Sequence, residues 1–130
     1  MSNLAAALGA WRERLGSDRV CVDEDVRAVA ETSTFATTQR IPAILHPASR
    51  EEVQDCLRIA NDFLVPLYPI SCGKNWGSGS RVPVRDDCVL LDLGQMNRIL
   101  DFDKNWPMSR LNPASALGSC SATCRSTGLT

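Results

Sequence analysis

The chain has a single histidine, His46, and its one close cysteine pair, Cys120 and Cys124, has no further ligand beside it. A tetrahedral zinc site needs four nitrogen or sulfur donors, so no metal centre is expected. A preponderance of one charge is also missing: 14 basic and 15 acidic residues are interspersed and leave a formal charge of −1. Neither nucleic acid nor an anionic membrane is an expected partner of such a surface. Long apolar runs are lacking too. Leu4 to Leu8 is shorter than a secretory core, has no basic region before it, and is soon followed by Arg12, Glu13 and Arg14. A cytoplasmic protein is the expectation. Cys21, Cys56, Cys72 and Cys88 are widely separated in a chain without an export signal, and they read as isolated reduced thiols rather than a disulfide framework.

What is present is enough for one core: 130 residues, of which 44% are hydrophobic. Leu4, Leu8, Trp11 and Leu15 follow i, i+4, i+7, i+11 spacing and predict one helix face, stopped by Gly16. Val26 to Glu31 reads as a short helical piece and Thr32 to Gln39 as a loop. Ile41 to Pro47 reads as a short strand bracketed by prolines. Ser49 followed by Glu52 forms a capping box that opens a helix, and Val53, Cys56, Leu57, Ala60 and Leu64 are its expected buried face. Leu67 to Ile70 and Val89 to Leu93 are two further apolar runs of strand length. Strand, helix and strand in succession predict a parallel βαβ unit.

Between these last two strands lies Ser71-Cys72-Gly73-Lys74-Asn75-Trp76-Gly77-Ser78-Gly79-Ser80. Glycines permit positive φ and let successive N–H groups converge without a Cβ in the way, which is how backbone forms a concave nest for phosphate oxygens. The position after a strand's carboxyl end is where open α/β sheets bind ligands. Neither familiar nucleotide motif is present. Gly77-Ser78-Gly79 is followed by Val82 where a dinucleotide fingerprint needs its third glycine, and Lys74 is followed by Asn75 rather than Ser or Thr.

From Ile41 to Asp103 the chain resembles the FAD-binding domain (PCMH-type) of the vanillyl-alcohol oxidase and p-cresol methylhydroxylase flavoproteins. The resemblance rests on Pro69 to Gly79 as a pyrophosphate-binding loop, the helix start from Pro47, the helix end at Ile59 to Asn61, and the strand from Val89. It implies an α+β fold: the first subdomain of a two-part FAD-binding domain, a small parallel sheet with flanking helices. It implies FAD as cofactor, with Ser71, Gly73, Lys74, Asn75, Gly77 and Gly79 around the diphosphate and ribityl chain. Trp76 is expected to pack against the loop or the adenine-side wall rather than stack on the flavin, and His46 to be structural. The parent reaction would be hydride transfer from a phenolic or alcohol-type substrate to FAD. Cys72 stands where Thr is usual and Ser78 where Tyr is common; no histidine occupies the loop, so covalent flavin attachment there is not expected. The resemblance identifies no catalytic residue.

The expected organisation is a helical and loop extension over 1–40, a partial FAD-binding domain over 41–103, and a polar tail over 104–130. Arg98 to Asp103 reads as a strand, but from Asn105 the apolar periodicity is lost. The resemblance calls for a Glu-Pro-Gly-Val segment at this point. Read one frame over, codons for Asn105 to Ser115 permit Leu-Ala-Tyr-Val-Thr-Leu-Glu-Pro-Gly-Val, so a shifted frame or a disordered terminus is expected for the tail. The chain is expected to be inactive alone. Two rival readings are a non-catalytic phosphate- or nucleotide-binding module and a non-functional truncated remnant.

Overall fold

In the computed structural model the described residues are 3–32, 37–71, 82–102, 109–111 and 113–114. Helix α1 (Asn3–Leu15) forms on the predicted spacing and buries Ala7, Trp11 and Leu15. Gly16, at φ 96°, ends it and donates its N–H to the Arg12 carbonyl. A 3₁₀ turn (Ser17–Arg19) leads into strand β1 (Val20–Cys21). Sequence patterning missed this strand because two residues carry no periodicity. Helix α2 (Glu24–Glu31) is capped by Asp23, whose side chain accepts from the Asp25 and Val26 amides, with Glu24 and Asp25 at the positive end of the helix dipole.

Strand β2 (Ile44–Leu45) is shorter than the apolar stretch around it, as Pro42 and Pro47 cannot donate to a ladder. Helix α3 (Arg50–Asp62) starts at the expected cap: Ser49 Oγ accepts from the Glu52 amide at 3.2 Å. The reciprocal half of the box is displaced, because Glu52 Oε2 accepts from the Ala48 amide at 2.7 Å and from Arg19 Nη1 at 2.8 Å. The buried face also differs from the expected one. Cys56 and Ala60 are buried and Val53, Ile59 and Phe63 pack beside them, whereas Leu57 and Leu64 face solvent. Leu64 lies beyond the helix end in a left-handed conformation (φ 54°), which takes its side chain off the helical stripe.

Strands β3 (Leu67–Ile70) and β4 (Val89–Asp92) complete a four-stranded sheet of order β1-β2-β4-β3. β4 runs parallel to both β2 and β3, and β1 is antiparallel to β2. The predicted parallel arrangement is therefore present, with β4 inserted between the two strands that α3 connects. Strand β5 (Ile99–Phe102) pairs antiparallel with β6 (Ser109–Leu111), which falls within the segment read as a polar tail.

The two faces of the main sheet alternate by residue, as strand geometry requires. Ala43, Leu45, Val89, Leu91 and Val20 join Trp11 of α1 and Cys56 of α3 in one cluster. Ile44, Leu90 and Ile70 join Ile41 and Ala30 of α2 in the other. Val89, Leu90 and Leu91 are all buried, the unbroken apolar run of a strand covered on both sides.

Candidate cofactor-binding edge

Parallel pairing places the carboxyl ends of β2, β4 and β3 side by side on one edge of the sheet. The residues there are His46 after β2, Asp92 closing β4 and Ser71 after β3; Ile70 is the register partner of Asp92. The antiparallel β1 adds Arg19 just before its start, because Val20 pairs with Leu45. The His46 amide donates to the Arg19 carbonyl at 3.0 Å. A cleft of about 240 Å³ at this edge is lined by Asp18, Arg19, His46 and Gln95.

Ser71 is half-buried at the point where the glycine-rich loop leaves the sheet. Gly73, Lys74, Asn75, Gly77 and Gly79, with Trp76, lie outside the described residues. The stems on either side are firmly seated: Ile70 is buried before the loop, and Val82 and Pro83 are buried after it. The return toward β4 is pinned by Asp86, whose Oδ1 accepts from the Arg40 amide at 2.7 Å.

Two carboxylates near this edge are already engaged. Asp92 Oδ1 accepts from the Gly94 amide at 2.8 Å, and Oδ2 lies 3.8 Å from His46 Nδ1. Glu52 is held by Arg19 and the Ala48 amide. Sequence reasoning did not single out Asp92. The available signal was Asp92-Leu93-Gly94 at a strand end, the pattern of a side chain that caps the backbone two residues on.

Among the described residues, two of the three cysteines, Cys56 and Cys88, are buried. Cys56 is fully buried under Trp11, and burial, reinforced by Glu52 and Asp55, pushes its pKa up to about 12. Burial raises the Cys88 thiol as well. Cys21, Cys56 and Cys88 are all free thiols. Among the described residues no group of His, Cys, Asp and Glu is arranged to hold a metal ion, and no helix is long and apolar enough to cross a membrane.

A sheet with a glycine-rich loop leaving its carboxyl edge is the expected frame for a dinucleotide, and comparison with known proteins decides which one. Residues 41–129 match the family model described as FAD binding domain. The chain belongs to this FAD-binding family. Its cofactor is FAD, and its fold is that of the cofactor-binding part of flavin-dependent oxidoreductases. It is 56% identical over 110 residues to 1'-carboxy-chondrochloren decarboxylase of Chondromyces crocatus, covering 85% of this chain and 20% of that protein. To the 4-cresol dehydrogenase [hydroxylating] flavoprotein subunit of Pseudomonas putida it is 30% identical over 119 residues, covering 86% of this chain and 22% of the relative. The crystal structure of p-cresol methylhydroxylase with substrate bound superposes with a TM-score of 0.91 at 27% identity, over 98% of this chain and 25% of that one. The FAD-binding chain thus spans about a fifth to a quarter of the length of these relatives.

Proposed function

We propose that this chain holds the diphosphate and ribityl part of FAD through Ser71, Gly73, Lys74, Asn75, Gly77 and Gly79, as the first part of a flavin-dependent oxidoreductase. The observation that carries the reading is the position of Ser71: the loop of an FAD-binding family member departs from the carboxyl edge of a parallel sheet between two buried stems. In this assignment loop amides and the Ser71 hydroxyl donate to diphosphate oxygens, and Lys74 adds a point charge. When bound, FAD supplies a two-electron acceptor. The substrate class we assign to the whole protein is a phenol or alcohol that gives up a hydride, in keeping with 4-cresol dehydrogenase among the relatives.

The chain by itself binds FAD weakly and does not turn substrate over. An FAD site gains affinity and reactivity by enclosing the cofactor, and electrostatic preorganisation around reacting atoms needs walls on all sides. Its place is the cytoplasm, in keeping with three unpaired thiols. We assign the segment from residue 104 onward to a shifted reading frame, supported by the Glu-Pro-Gly-Val that the alternative frame permits. The genomic sequence downstream, read in three frames, tests that assignment.

FAD titration followed by NMR tests the site. The unsubstituted chain should show saturable shifts at and beyond Ser71, and Gly77→Val should abolish them while the sheet resonances stay in place. Equal binding by the variant would remove the loop from the site, and turnover of para-alkylphenols by the chain would overturn its assignment as a part.

A further inference from the structure

We propose that Asp92 is a positioning residue for the cofactor loop, acting through the last rung of the β3–β4 ladder; this rests on the loop assignment above. The rung is the Leu93 amide donating to the Ile70 carbonyl at 2.9 Å, and the next residue of the chain is Ser71. Leu93 is clamped from both sides. Before it, Asp92 Oδ1 accepts from the Gly94 amide at 2.8 Å, closing a turn whose middle residue is Leu93. After it, the Met96 amide donates to the Leu93 carbonyl at 2.9 Å. The second carboxylate oxygen lies 3.8 Å from Nδ1 of His46, the residue that follows β2.

Gly94 is matched to this arrangement: a Cβ there would sit 2.9 Å from Asp92 Oδ1. A methyl at residue 94 therefore pushes the carboxylate off the turn while leaving Asp92 in the sequence. This gives a second route to the same lesion, independent of removing the acid. Loss of the clamp frees Leu93, and the strand end that launches Ser71 loses its fixed position.

The test uses the full chain with Asp92→Ala, Asp92→Asn and Gly94→Ala, and Asp55→Ala as a control that breaks ion pairs to Arg14 and Arg58 away from the edge. Two readouts are taken: amide exchange of Leu93 and Val89, and the FAD dissociation constant. Asp92→Ala and Gly94→Ala should each speed Leu93 exchange and weaken FAD by about fivefold, the factor expected for one lost hydrogen bond. Val89 exchange should be unchanged. Asp92→Asn keeps an oxygen acceptor and should stay within about twofold of the unsubstituted chain. Unaltered Leu93 exchange in Asp92→Ala overturns the proposal, as does faster exchange with undiminished FAD affinity. So does an equal loss of affinity in Asp55→Ala, which would make the effect one of general stability. Failure of the unsubstituted chain to bind FAD overturns the loop assignment itself, and this inference with it.

Discussion

The two faces of the main sheet are covered in different ways. On one face α1 and α3 lay down a continuous apolar layer, with Trp11 and Cys56 fully buried against Leu45 and Leu91. Even the one polar atom of Trp11 is provided for, since its Nε1 donates to the Cys56 carbonyl at 3.2 Å. On the other face α2 contributes Ala30 as its one buried residue and is held mainly by polar ties. Arg27 Nη1 donates to the Ile41 carbonyl, Glu31 Oε1 accepts from the Ile41 amide at 2.8 Å, and Glu31 Oε2 meets Arg40. Its valines, Val26 and Val29, point to solvent. One face is therefore covered by two helices through apolar packing, whereas on the other α2 is tied to the Arg40–Ile41 segment by a few directed bonds beside a smaller apolar cluster.

The largest expected effect tests the thick face. Trp11→Ala should destabilise the chain by about 3–5 kcal/mol, since it opens a large cavity between α1 and α3 and leaves the Cys56 carbonyl without its donor. Ile44→Ala on the thin face should lose about 2 kcal/mol, the low end for such a truncation, because one short helix can settle into the space. Urea unfolding of both variants measures the contrast, and equal losses would erase it.

A smaller effect tests the polar ties. Glu31→Ala removes the acceptor of the amide of Ile41, a fully buried residue. The expected loss is about 1–3 kcal/mol, with Glu31→Gln recovering part of it through its own oxygen. If the alanine variant unfolds at the same urea concentration as the unsubstituted chain, α2 is held by something other than these bonds.

How much of this was legible in the sequence depended on whether a feature had a period or a local chemical signature. α1 followed from its apolar spacing, α3 from Ser49 and Glu52, and β3 and β4 from their apolar runs. The burial of Leu57 and Leu64 was misread because a three-and-four pattern has a width, and the helix stopped before Leu64 completed its turn. β1 is too short for any pattern, and its partner is β2, fixed by tertiary packing. At the site, the loop could be found through its glycines and its family likeness. Asp92 could not be ranked above other acidic residues until the register put it beside Ile70.

Alkaline titration gives a further contrast. The Cys56 thiol has a pKa raised by burial to about 12 in the fold, against an ordinary value of 9.0. The folded state therefore keeps its proton where the unfolded chain releases it. This stability is fully present below about pH 9 and is lost progressively as pH rises from there toward about 12. Cys56→Ala should remove this contribution, flattening the decline in unfolding free energy just above pH 9, where one such group contributes a slope of at most ~1.4 kcal/mol per pH unit. An unchanged slope would mean that Cys56 ionises as readily in the fold as outside it.

The smallest effect probes the outer side of α2, where Val29 is 66% exposed near the end of the helix. Three terms favour lysine over valine there. A straight side chain loses less rotamer freedom in a helix than a β-branched one. A cation in the last turn meets the negative end of the helix dipole. Asp25 stands four residues earlier, on the N-terminal side, the better orientation for an acid and base pair on one helix face. Each is worth a few tenths of a kcal/mol, and little buried area is given up, so Val29→Lys should stabilise the chain by about 0.5 kcal/mol. The same substitution at a residue packed against the sheet would be ruinous. A loss above about 1 kcal/mol in urea unfolding would therefore show that this side of α2 is covered, and that the two faces of the sheet are more alike than the packing describes.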